Sequence, residues 1–315
     1  MDPTQKLFKL LQQKKRGPNF ANEVRSLIVL GAKVDDWCPK TNESPLSLAA
    51  KMNNIEVVRI LISSLPPDHV PCRRSLSYAI EVGNLEMVQL LRGYHSDDGI
   101  MTKSIEHGHI DLVRHFAKIW NQNLFSLLPR AASSGQNGLI RALLKEEPLC
   151  SQNRHAILDK SLCNAIEKSH KRTVIILLSA GANPTSPEGI HFMGNSPIKV
   201  ACSRVFKNTE ILSLLLDWIK TNHRLCWDPP TKVVDDALVH CFRFRCSLEP
   251  IKLLLLHGAC PFSSELFGRY DGWKDRSFAM DLLKEAKGMY LLCSVDSYFS
   301  LLPKSTLHKI CCSLY

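Results

Sequence analysis

One register, repeated along the chain, constrains what these 315 residues can fold into. A small residue sits in one apolar segment, and seven positions later a residue, usually polar, opens a second apolar run. Ala49 leads to Glu56 and then Val57-Val58-Arg59-Ile60-Leu61; Ala79 leads to Glu86 and Met87-Val88-Gln89-Leu90-Leu91; Ser104 leads to Asp111-Leu112-Val113. Ala131 leads likewise to Gly138-Leu139-Ile140, and Ala165 to Arg172-Thr173-Val174-Ile175-Ile176. Self-similarity of this kind marks a repeat architecture, in which one unit cannot bury its own faces and stacking supplies the core.

Each unit reads as helix, tight turn, helix. Between the two helices stand Asn53-Asn54, Gly83-Asn84 and Gly108-His109, residue types that tolerate the left-handed conformation ending a helix. First helices open on Ser44-Pro45-Leu46 and Ser196-Pro197-Ile198, a capping hydroxyl followed by a proline whose missing N–H costs nothing in the first turn. Second helices stop at Gly31-Ala32, Gly181-Ala182 and Gly258-Ala259. The small marker residues let neighbouring first helices approach, while Leu and Ile of the second helices fill the layer between.

These residues resemble the ankyrin repeat, with its Thr-Pro-Leu-His start, Gly-His turn and Leu-Leu-x-x-Gly-Ala end. The resemblance spans residues 4 to 261 and implies an all-α solenoid of seven to eight helix pairs with a C-terminal capping helical segment. A degenerate first unit runs from Leu7-Phe8-Lys9-Leu10-Leu11 through Val24-Arg25-Ser26-Leu27. Successive markers Ala49, Ala79, Ser104, Ala131, Ala165, Ala201 and Cys241 lie 30, 25, 27, 34, 36 and 40 residues apart, against about 33 for the standard repeat. The long intervals predict extra loop at Thr185 to Asn195 and Thr221 to Asp235. The expected organisation is a repeat array over 1–261, a helical cap or linker over 262–300, and a distinct helix over 301–315.

Composition narrows the function classes. Apolar residues at 45% and charged residues at 22% suit a packed chain. No apolar run reaches the length of a membrane span and no signal peptide opens the sequence, so a cytoplasmic or nuclear location and no membrane partner are expected. The twelve cysteines are scattered among Leu, Ile and Ala and read as reduced core thiols. The formal charge of +10 is spread along the chain, with Lys14-Lys15-Arg16 as its densest run and no nucleic-acid motif beside it. A weak preference for acidic partners and no specific nucleic acid follow.

Phosphate loops, nucleophile elbows and His-Glu-x-x-His helices are absent from the sequence, which argues against an enzyme and for no cofactor. His240-Cys241 with Cys246 and Cys260 fits no standard zinc spacing, so no metal site is expected. His109 stands where ankyrin repeats carry His at the turn, and a backbone hydrogen bond is its expected role.

In ankyrin-like stacks the residues after the small pair of the first helix line the binding face. By that resemblance the target-contacting candidates are Lys51, Met52, Glu81, Glu106, His107, Lys168, Arg243 and Phe244. Arg and aromatic side chains dominate binding hot spots, which singles out Phe242-Arg243-Phe244-Arg245, the alternative being that one Phe packs inward.

Beyond Pro261 the repeat stops, and Ser277 to Ala286 has apolar positions at helical spacing. In the tail, Leu307 and Cys311 fall on one helical face after Pro303. This tail resembles the first helix of a suppressor-of-cytokine-signalling box, whose elongin-binding pattern Thr306, Leu307 and Cys311 match. Tyr315 stands where that pattern has an aliphatic residue, and the cullin-selecting segment is missing from the sequence. Together with the repeats, the tail resembles the ankyrin-repeat and suppressor-of-cytokine-signalling-box family. That implies an adaptor, a monomer when unbound, which holds a target protein in its groove and the elongin B–C complex at its tail. The competing expectation is a plain ankyrin scaffold or inhibitor whose tail caps the stack.

Overall fold

Ala49, Ala79, Ser104, Ala131, Ala165 and Cys241 have no exposed surface and Ala201 has 1%. Every marker of the sequence register is therefore a contact point between helices. The computed structural model describes residues 2–13, 17–38, 41–65, 73–93, 99–146, 153–186, 196–203, 209–222, 230–244, 246 and 248–259. Among them are sixteen α-helices and a short 3-10 turn, and no β-strand.

The chain forms two compact units, Met1–Glu147 and Pro148–Tyr315. In the first, five helix pairs follow one another: α1 (Pro3–Leu11) with α2 (Phe20–Val29), α3 (Pro45–Lys51) with α4 (Ile55–Ser63), α5 (Arg73–Val82) with α6 (Leu85–Arg92), α7 (Ile100–Glu106) with α8 (Ile110–Ile119), and α9 (Leu128–Ser133) with α10 (Asn137–Glu146). First helices pack on first helices in the order α1, α3, α5, α7, α9, and second helices α2, α4 and α6 stack in parallel behind them. The second unit has α11 (Arg154–Glu167) with α12 (Lys171–Ser179), α13 (Pro197–Cys202) with α14 (Thr209–Thr221), and α15 (Pro230–Arg243) with α16 (Leu248–Leu256). There α11, α13 and α15 form the row of first helices.

Second helices bury one repeating triplet: Val57, Val58 and Leu61 in α4, Met87, Val88 and Leu91 in α6, Leu112, Val113 and Phe116 in α8, and Leu139, Ile140 and Leu143 in α10. Apolar side chains at this spacing make the stripe that a helix needs on its inner side. On the outer side, exposed ion pairs step from one second helix to the next. Arg25 pairs with Glu56 at 3.6 Å, Arg59 with Glu86, and in the second unit Lys171 with Glu210 at 3.0 Å. Exposed pairs contribute little stability each.

The turns divide their work between two residues. Asn53 and Gly83 take the left-handed conformation at φ 54° and 81°. The side-chain Oδ1 atoms of Asn54 and Asn84, which follow, then accept the backbone N–H of Val57 and Met87, each at 3.1 Å. Ser44 is a full cap: its hydroxyl accepts the Ser47 N–H while Ser47 Oγ accepts the Ser44 N–H. Ser196 occupies the same position before Pro197, but its hydroxyl makes no capping bond; the expected cap is absent there.

Of the extra loops expected at Thr185 to Asn195 and Thr221 to Asp235, residues 187–195 and 223–229 lie outside the described residues. The first helices α11 and α15 are 14 residues each, against 7 in α3 and α7. Residues 230–235, read from the sequence as loop, are the opening turns of α15.

Candidate protein-interaction surface

The segment entering α3 turns back on itself through a bridge between Cys38 and Glu43, with Asn42 left-handed at φ 51°. This places Glu43 inward with 5% exposure. A buried carboxylate needs partners, because desolvating a charge is costly. It accepts Ser47 Oγ–H at 2.6 Å and the Tyr78 hydroxyl at 2.5 Å, and the Lys51 ammonium lies 3.8 Å away. Lys51 also sits 5.1 Å from the centre of the Tyr78 ring. The bond to Glu43, with burial and the carboxylate charge adding to it, raises the Tyr78 phenol above its ordinary value of 10.0. Around this network runs a groove of about 600 Å³, lined by Leu11, Gln12, Gln13, Thr41, Glu43, Leu48, Lys51 and Met52. Arg74 of α5 ties the same turn from the other side, donating to the Asn42 carbonyl at 2.6 Å.

Farther along the row of first helices, polar side chains bridge each repeat to the one before. Lys103, directly before the marker Ser104, donates to Ser77 Oγ at 2.7 Å. Arg130, directly before the marker Ala131, donates in the same way to Thr102 Oγ1. At the turns, His109 Nε2 bonds the Glu81 carbonyl at 2.8 Å, the backbone role expected of it, and Gln136 donates to the Glu106 carbonyl one repeat on. Gly83 has to be glycine here, because a β-carbon would run into the His109 ring.

Five residues singled out from the sequence come together at the C-terminal ends of the first helices in this unit. Lys51, Glu81, Glu106 and His107 are exposed and Met52 is half-buried. Lys168, the residue capping α11, is exposed in the second unit, where Arg243 closes α15. Phe244 is 41% exposed and rests against His240, ring centres 4.4 Å apart, so it does not belong to the core. Thr306, Leu307 and Cys311 lie outside the described residues. Sequence reasoning missed Glu43, Tyr78, Lys103 and Arg130. The two cations had a signal in their shared place one residue before the marker; Glu43 had none, since an acid before Ser-Pro ordinarily reads as a solvated turn.

Among the five described thiols, four behave as core and Cys38 is half-buried. Cys163, Cys202, Cys241 and Cys246 are buried. Hydrogen bonding to Cys202, followed by burial, raises the Cys241 thiol well above its usual range, although Cys246 pulls the other way. Burial pushes Cys163 up to about 12. Thiols held protonated in this way are poor nucleophiles. Among the described residues no cluster of His, Cys, Asp and Glu suits a metal ion, and no helix is long and apolar enough to cross a membrane.

Stacked helix pairs with a bridged first-helix face make a helical-repeat solenoid of the ankyrin type. The ankyrin-repeat family model matches residues 41–70, the segment that carries Glu43, Lys51 and α4. The human ASB11 ankyrin repeat domain, a crystal structure, is 17% identical and aligns over 78% of this chain and 98% of its own with a TM-score of 0.43. No curated protein matches the chain.

Proposed function

We propose that the chain is the substrate-recognition adaptor of an elongin/cullin-type E3 ubiquitin ligase. The face formed by the ends of α3, α5 and α7 takes the target protein, and the tail engages elongin C through Thr306, Leu307 and Cys311. Target binding is supported by the groove at Leu48, Lys51 and Met52, where apolar and charged groups converge beside a fully partnered Glu43. Such a rigid, mixed surface is what a protein partner requires. The elongin role is supported by the spacing of Leu307 and Cys311 in a tail that follows repeats. The deciding experiment is retention of purified elongin B–C on the immobilised full chain, which the adaptor role requires.

A specific observation favours the second role, a scaffold or inhibitor without a ligase. Tyr315 stands where the elongin-binding pattern has an aliphatic side chain, and a phenol hydroxyl is costly to bury without a partner. Target capture with no elongin retained would select it.

A further inference from the structure

We infer that the first-helix face of the first unit selects an extended, acidic protein segment, read by Lys103 and Arg130 at a spacing of three residues. The inference rests on the target-binding role proposed above and names its partner. Lys103 and Arg130 hold the same repeat position on the adjoining helices α7 and α9. Each is anchored by one bond to a neutral hydroxyl oxygen, on Ser77 and Thr102. Neither has an acidic side chain within ion-pair distance among the described residues. Their charge is therefore fixed in place and available: an ammonium carries three donors and a guanidinium five, so most remain to be used. Pre-placed cations gain more from an incoming carboxylate than mobile ones, because less side-chain freedom is lost on binding.

Spacing sets the partner's shape. Packed helices lie about 8–10 Å apart, and a segment extended as polyproline II, with about three residues per turn and a rise of about 3.1 Å per residue, returns a side chain to the same face at about that step. Carboxylates three residues apart in such a segment match the step from α7 to α9. Followed back through α5 and α3, the same position holds Tyr78 and Leu48, and Leu48 borders the groove with Met52. The segment that fits carries an apolar residue for that groove, then a spacer of five residues, an acid, a spacer of two and a second acid.

Glu106 is exposed one turn along α7 from Lys103, and Glu81 holds the same exposed place on α5, one turn from Tyr78. This parallel acidic row decides between two polyanions. A nucleic acid presents charge at every residue and meets Glu106 beside Lys103 and Glu81 on the next helix. A peptide places single carboxylates over the cations and leaves the acidic row facing neutral or basic side chains.

Fluorescence anisotropy of labelled peptides with the full chain tests this. The designed segment is expected to bind. Replacing its two acids with Gln, or moving them to alternate residues, is expected to weaken binding roughly tenfold, an effect that added salt reduces. The double variant Lys103→Gln/Arg130→Gln should lose the preference for acid over Gln, with its circular dichroism melt reporting whether the fold is kept. Glu81→Gln/Glu106→Gln removes the carboxylates that would repel the peptide's acids and should tighten acidic-peptide binding. Equal affinity for the acidic and Gln peptides overturns the inference, as does a single-stranded oligonucleotide binding as well as the acidic peptide, or no peptide binding at all. A target protein whose binding ignores both double variants overturns it while leaving the target-binding role standing. A chain that binds neither peptide nor any target loses both.

Discussion

Tyr78 and Gly83 each carry a role that single substitutions can isolate. The Tyr78 hydroxyl donates to a carboxylate with 5% exposure, and losing a hydrogen bond to a charged group costs roughly 1.5–3 kcal/mol. Tyr78→Phe is expected to lower stability by about that amount at neutral pH, measured by denaturant unfolding. Because the folded phenol titrates above 10.0, its contribution is complete below that value and is lost as pH rises through the folded pKa. The stability gap between wild type and Tyr78→Phe should therefore close in strong alkali. At Gly83, with φ 81° and the His109 ring where a β-carbon would stand, Ala meets two penalties. The left-handed conformation alone costs roughly 1–2 kcal/mol, and displacing the ring breaks its bond to the Glu81 carbonyl. Gly31→Ala is the control, since Gly31 has φ 91° and nothing within contact of a β-carbon. Thermal melts should place Gly83→Ala below Gly31→Ala, and in a His109→Ala background the difference should shrink.

At the scale of elements, the ion pairs on the outer row of second helices fix which repeat faces which more than they stabilise the stack. Arg59 and Glu86 are 58% and 60% exposed. A double-mutant cycle on Arg59→Ala and Glu86→Ala is expected to give a coupling of about 0.2–1 kcal/mol that disappears in molar salt; a larger, salt-resistant coupling would mean the pair acts through packing. Helix placement was legible because burial imposes a period. The markers and the Val57-Val58-Leu61 triplet are buried as the register demands, and the turn residues Asn53 and Gly83 follow from backbone sterics alone. What stayed illegible depends on partners that are distant in the sequence and meet only in the fold. Thr4 Oγ1 accepts the Lys33 N–H at 3.1 Å, and Asp159 Oδ1 accepts the Asn183 N–H at 2.6 Å. Both receive the residue after a Gly-Ala stop, so a polar side chain on a first helix seals the end of the following second helix. The length of α15 was hidden for a related reason: Pro229-Pro230-Thr231 reads as loop punctuation, yet Pro230 at a helix start is compatible with the turns that follow. Of the candidate surface, Lys51, Met52, Glu81, Glu106 and His107 followed from repeat position, whereas the cation row needed the hydroxyl partners of the preceding helix to be seen.

For the whole molecule, an adaptor has to hold two partners at separate places, and the tail makes the stronger demand. In the sequence pattern Leu307 and Cys311 are one helical turn apart after Pro303, a spacing that makes a single apolar ridge. Moving a Leu side chain from water into a pocket is worth about 1.5–3 kcal/mol, which is roughly tenfold or more in affinity. Leu307→Ala is therefore expected to weaken retention of elongin B–C by at least that factor. Cys311→Ser, which puts a hydroxyl into the same apolar contact, should weaken it as well. Neither change touches the first-helix face, so capture of a target by Lys51, Met52 and their neighbours should persist in both variants. Titration of elongin B–C against wild type and both variants checks each step. Wild-type chain that retains no elongin removes the adaptor role, and retention indifferent to both substitutions removes this helix as its cause.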